Sequence, residues 1–206
     1  AFPFCVLVSL SCSVKEDRGG CPCRLFLDFT EVDTMSVQSV ELFVREDAGV
    51  LLSDIVHKEE FGEDYIVSVP RTRLKLCVWA GRGDTLSESV SIPYGEDCPP
   101  VYIHSTEIDA SYEMMSETII MRKNFCRMTL NIKMSVQSFV GLAVSGNVNG
   151  YESDGTPSSG DFNVRLYPEN DSSFCISLPR QLDESLIMEI DTGDKVVRRF
   201  PLGHYI

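Results

Sequence analysis

The chain of 206 residues carries one tryptophan, three histidines and 18 basic residues against 31 acidic ones. Each shortage excludes something. A lone Trp79 speaks against a platform of stacked indoles for carbohydrate and reads as part of a core. His57, His104 and His204 are too scattered to form a dyad or a metal cluster by spacing. A net charge of -13 lacks the cationic surface that nucleic acid and anionic lipid require. No H-E-x-x-H, paired C-x-x-C, G-x-S-x-G, P-loop or G-x-G-x-x-G is present, and Cys21-Pro22-Cys23 has the wrong spacing for a zinc knuckle or thioredoxin motif. Asp154 and Asp161 could offer oxygens to calcium, but the loop from Glu152 to Asp161 lacks the alternating pattern of an EF-hand and reads as a solvated turn. Carboxylates are plentiful, yet none can be paired across a cleft from sequence. The expectation is a protein that is not an enzyme, with no catalytic residue, metal or cofactor.

Arg82-Gly83-Asp84 spells the tripeptide that integrins recognise. It is a weak adhesion motif, because Gly-x-Gly-Asp after a strand is also what a tight hairpin uses.

What is present is ordinary globular chemistry, 43% hydrophobic and 24% charged, with length for one or two cores. The opening AFPFCVLVSLS has no charge, resembles a signal-peptide h-region, and is too short to span a bilayer. It begins at Ala1 without Met or a basic n-region, so an incomplete N-terminus is expected. Ser9, Leu10 and Ser11 roughly supply the small residues that lipoprotein processing wants before a cysteine, with Ser9 where Leu is commonest. Cys12 is then the lipid attachment residue, residues 1–11 a signal remnant and 12–20 a tether. Buried acyl chain yields about 0.8 kcal/mol per methylene, so durable attachment takes more than one chain. The competing reading, Cys12 as a small apolar strand residue, leaves an unpaired apolar terminus prone to aggregation.

Met35-Ser36-Val37-Gln38-Ser39 recurs unchanged as Met134-Ser135-Val136-Gln137-Ser138. Upstream of each copy lies a matching strand, Cys23-Arg24-Leu25-Phe26-Leu27-Asp28-Phe29 and Cys126-Arg127-Met128-Thr129-Leu130-Asn131-Ile132. A period near 100 residues means two related domains rather than a solenoid. Short β-branched or alternating runs split by turns point to sandwiches. In the first half they are 24–29, 40–45, 50–56, 65–69, 74–79 and 90–92. In the second they are 119–121, 127–134, 140–148, 162–166, 174–178, 186–190 and 196–200. Residues 95–115, with Pro99 and Pro100, read as a loop-rich passage. The domains are therefore expected at 21–115 and 116–206.

Alternation places Cys23 with Leu25, Leu27 and Phe29, and Cys126 with Met128, Leu130 and Ile132, on core faces. It sends Cys77 and Cys175 to the face opposite their apolar neighbours. A Cys23 to Cys77 bridge would join opposite sides of a sheet, against disulfide geometry. Cys21 with Cys98, both beside prolines at the ends of the first half, is the expected bridge, and unpaired cysteines in small apolar sites are the alternative.

The lipobox-like Cys12, the tether Lys15-Glu16-Asp17-Arg18, the segment Cys21 to Phe29 and Leu76-Cys77-Val78-Trp79-Ala80-Gly81 together resemble the fimbrial anchor-subunit lipoproteins of Bacteroides-type (type V) fimbriae. The resemblance runs from Ser9 to the end and includes the two-domain plan. It implies an all-β chain of two tandem transthyretin-like (Greek-key) β-sandwich domains after the signal remnant. It also implies a lipidated cysteine and export to the outer membrane at the base of a fimbrium, with Ser13, Glu16 and Asp17 as the surface-export signal. The implied partners are fimbrial shaft or accessory subunits, with the outer membrane reached through the lipid anchor. Such proteins run one or two strands past the position of Ile206, so either the sequence is a fragment at both ends or the second sandwich is open-edged. A different reading is a surface lipoprotein that binds a glycan or host protein as an independent adhesion module.

Overall fold

The computed structural model describes residues 20–83, 85–131, 141–167, 173–193 and 196–204. Cys12 and the tether up to residue 19, Asp84 and the second pentapeptide therefore lie outside the described residues. Among those described there are fifteen strands and no α-helix, so none is long and apolar enough to cross a membrane. The two tandem β-sandwiches expected from the sequence are present.

The first sandwich stacks a three-stranded sheet on a five-stranded one. In the smaller sheet β1 (Cys23–Asp28) is central, antiparallel to β4 (Tyr65–Val69) and parallel to β8 (Met114–Thr118). The larger sheet runs β3 (Gly49–His57), β2 (Ser39–Glu46), β5 (Arg73–Ala80), β7 (Tyr102–Asp109) and β9 (Arg122–Lys123). Alternation works as the pleat dictates. Cys23, Leu25 and Leu27 from β1 meet Val40, Leu42 and Val44 from β2 and Leu74, Leu76 and Val78 from β5 in one core, closed by Phe29 stacked on Phe61 with ring centroids 5.4 Å apart.

The second sandwich has a sheet ordered β12 (Pro157–Leu166), β11 (Gly141–Tyr151), β14 (Ile187–Asp191) and β15 (Val197–Pro201). It faces a pair formed by β10 (Phe125–Asn131) and β13 (Ser173–Pro179).

Three expectations change. Residues 95–115 are not all loop, because β7 lies inside the larger sheet of the first domain, paired from Arg73↔Asp109 to Ala80↔Tyr102. Its polar run His104-Ser105-Thr106-Glu107 hides the alternation. Residues 119–121 form no strand; the chain pairs on either side of them, at β8 and β9. The boundary also falls later than 115, because β8 and β9 complete sheets of the first domain, which thus reaches Lys123.

The two sandwiches share a core. While Leu74, Leu76 and Val78 face the first interior, Cys77 and Trp79 of the same strand join Phe43 and Ile103 in a second cluster with Leu142, Val144, Phe162, Ile176 and Leu178. Between β5 and β7 the chain leaves its own domain: β6 (Val90–Ser91) pairs with Gly150 and Tyr151 of β11. Further along, Cys98 donates its N–H to Ser177 at 3.0 Å. The turn at 152–156, expected to be solvated, is docked. Lys75 Nζ reaches Asp154 Oδ2 at 2.9 Å, and a Cβ on Gly155 (φ +82°) would stand 2.8 Å from Ile103. Trp79, fully buried at this junction, is the main apolar anchor. Trp79→Ala should lower stability by about 3–5 kcal/mol, read as a fall in the denaturant midpoint monitored by circular dichroism.

Candidate functional site

The internal repeat allows one domain to serve as a reference for the other. In the first, β1 is paired on both edges: Cys23↔Val69, Leu25↔Val67 and Leu27↔Tyr65 on one side, Arg24↔Met114 to Asp28↔Thr118 on the other. Its counterpart β10 repeats the antiparallel half at the same three positions, Cys126↔Leu178, Met128↔Ile176 and Leu130↔Phe174. Among the described residues nothing pairs with its second edge, where β8 stands in the first domain.

Side-chain burial follows. Cys23, Leu25 and Leu27 are 0%, 0% and 2% exposed, whereas Cys126, Met128 and Leu130, with the same alternation, are only partly buried against their core. The inner face of β15 is also bare. Phe200 pairs with the core residue Met188 and so points inward, yet it is 41% exposed. A cleft of about 330 Å³, lined among others by Phe125, Cys126, Leu178, Leu186 and Gly203, opens where β10 and β13 meet the turn after β15. The second edge of β10 thus offers a row of backbone groups with no strand partner among the described residues, beside the half-buried apolar side chains of Cys126, Met128 and Leu130 at alternate positions, which is the chemistry that accepts an added strand.

The other residues singled out from sequence lie elsewhere. Arg82 is not displayed for a receptor. Its side chain is 4% exposed and Glu41, which it grips, 3%. Arg82 Nε and Nη2 donate to the two carboxylate oxygens of Glu41 at 3.1 and 2.8 Å, and the guanidinium lies 4.5 Å from the Trp79 ring centre. The same group donates to the carbonyls of Ser87 and Ser89, which fixes the start of the segment that crosses to the second domain. The adhesion motif is therefore corrected: Gly83 is exposed, Asp84 lies outside the described residues, and Arg82 is structural. Nothing in a bare motif search reveals this. The available signal was Glu41 set within the apolar run Val40-Glu41-Leu42-Phe43-Val44, a charge that demands a partner.

Nor does the structure join Cys21 and Cys98. Both are free thiols, Cys21 exposed ahead of β1 and Cys98 buried in the shared core. Burial pushes the Cys98 thiol up to about 12, with Asp97 adding to the rise and the Tyr151 hydroxyl opposing it, so the reactive thiolate is scarce. Cys23 and Cys77 are also buried, and burial raises both thiols. Asp154 serves Lys75 rather than a metal. Burial pushes its carboxyl up, but hydrogen bonds from Lys75 and Thr156 prevail and hold it at about 2. No group of three metal-ligating side chains occurs among the described residues.

No family model and no curated protein matches the chain. Among solved structures it resembles a candidate adhesin from Bacteroides ovatus, with TM-score 0.62 and 14% identity over 89% of this chain and 78% of that one. A candidate adhesin from Bacteroides thetaiotaomicron gives TM-score 0.60 and 14% identity over 90% and 82%. A further one from Bacteroides ovatus gives 0.58 and 11% over 100% and 89%. At such identities the likeness establishes the fold alone, an all-β architecture shared with these candidate Bacteroides adhesins.

Two measurements check the reassigned residues. Glu41→Ala should cost about 3–5 kcal/mol by leaving the Arg82 charge buried and alone, and the double variant Glu41→Leu with Arg82→Leu should recover much of that loss in the same chemical melt. In thiol labelling of the reduced native chain, Cys21 and Cys175 should react at once, and Cys23, Cys77 and Cys98 only on unfolding.

Proposed function

We propose that this chain is a structural subunit of a cell-surface fimbrium, attached to the outer membrane through lipid on Cys12. It holds neighbouring shaft or accessory subunits by strand pairing along β10. The observation that carries the pairing is the difference between two copies of one strand, β1 flanked on both edges and β10 on one. A surface adhesion or fimbrial role is supported by the candidate adhesins that share the fold. Anchorage and lipidation rest on the residues around Cys12.

The mechanism is physical. An incoming segment laid along β10 would gain ladder hydrogen bonds and bury apolar side chains over Met128, Leu130 and Phe200 at the same time. By analogy with β8 it would run parallel to β10. Its association is durable to the extent that those pockets are filled, since main-chain bonds alone exchange for water at little net gain.

Phe200→Lys, a substitution at a part-exposed position, should leave the melting temperature nearly unchanged and abolish recovery of the chain with fimbrial shaft subunits from outer-membrane fractions. Full recovery of that complex would sink the pairing reading. In the same cells, Cys12→Ala should lose incorporation of a fatty-acid analogue and pass to the soluble fraction; persistent membrane attachment would overturn the anchor.

A further inference from the structure

The outward face of the second domain's larger sheet, turned away from the β10 edge, contains a built depression. Its central strand, β11, places two small residues there, Gly141 and Ala143. The register sets Arg165 on one side of Ala143 and Glu189 on the other, and Asp191 beside Gly141. Tyr167, two residues beyond Arg165, shares that face. Its ring runs alongside Gly141, with Cε1 3.6 Å from where a Cβ would stand. Because neighbouring strands are spaced by about 4.8 Å, the flanking strands stand about 10 Å apart over this low floor. The cleft has a volume of about 240 Å³, room for one sugar ring.

Its walls are of mixed chemistry. The Tyr167 ring is 62% exposed and offers an apolar surface. Arg165 has no ion-pair partner among the described residues, so its fork of donors is free. Opposite, Glu189 is held by Arg199 Nε at 2.6 Å, and Asp191 Oδ1 accepts the Gly193 N–H at 2.8 Å, which orients both carboxylates.

We propose that this cleft binds a pyranose ring of a neutral glycan. The C–H face of the ring lies on Tyr167, hydroxyl oxygens accept from Arg165, and hydroxyl protons are donated to Glu189 and Asp191, the charge-assisted bonds being the stronger ones. A sugar is the ligand class with an apolar face and a rim of groups that both donate and accept. An apolar peptide side chain would desolvate three charged groups without replacing their hydrogen bonds. A phosphate or acidic sugar would meet two carboxylates on a protein of net charge -13, a field that repels it. The shallowness of the cleft makes single-site binding weak, and many copies on one surface would raise avidity.

The test is saturation-transfer NMR on the full chain with methyl β-D-galactopyranoside and methyl α-D-mannopyranoside, together with a polyvalent array of neutral and sialylated oligosaccharides. Transfer to ring C–H protons of at least one probe is expected, with neutral spots bound on the array. Tyr167→Ala and Arg165→Ala should each weaken binding at least tenfold at unchanged melting temperature, and Ala143→Gln, which raises the floor, should do the same while keeping the aromatic. Absence of transfer from both glycosides with no neutral spot bound, binding confined to sialylated spots, or binding unchanged in Tyr167→Ala and Arg165→Ala would each overturn the proposal. Phe200→Lys lies on the other face and should keep the sugar signal, so failure here and failure of strand pairing are read separately.

Discussion

Burial of one sheet on both of its faces is the constraint on which the molecule rests. A strand in a sandwich ordinarily gives one face to its core and one to water. Here β5 gives Leu74, Leu76 and Val78 to the first interior and Cys77 and Trp79 to the second. The cost of bringing Glu41 into that second layer is met by Arg82, which neutralises it, covers Trp79 and ties down the departing chain in a single placement. Remove the layer and the second domain loses part of its core, because Phe43, Trp79 and Ile103 belong to the first.

That dependence changes what the repeat means. Two copies of one sequence pattern, Cys-Arg-apolar-x-Leu followed by Met-Ser-Val-Gln-Ser, have been put to different uses. One copy is closed on both sides and serves as the platform. The other retains the antiparallel half of its pairing and presents the remaining edge. An open edge is a hazard unless it is blunted or occupied, and β10 presents seven residues of one.

How much of this could be read in the sequence depends on what each residue had to satisfy. Strands with one wet face were plain: β4 was expected at 65–69, where it is found, and the direction of Cys77 followed from its neighbours. Strand β7 was hidden because it packs Tyr102 and Ile108 on one side and Ile103 on the other while carrying His104, Ser105, Thr106 and Glu107 between them. The short run at 90–92 was legible as a strand, but not that residues 85–101 cross into the partner sandwich, since their hydrogen bonds go to strands far along the chain. The β10 edge was legible as a pair of matching segments, but only the fold revealed that one lacks a neighbour. Arg82 was misread because three letters of a motif say nothing of a carboxylate 41 residues away.

The crossing segment has a mechanical corollary. A chain passing once from module to module at Asn124 would form a hinge. This one passes over at β6, returns, and passes again at Asn124, whose own N–H is held by Val101 and whose carbonyl is held by Tyr151 and Arg180. Tension applied across the pair is thus shared between two crossings instead of one pivot, so the assembly should behave as a stiff spar.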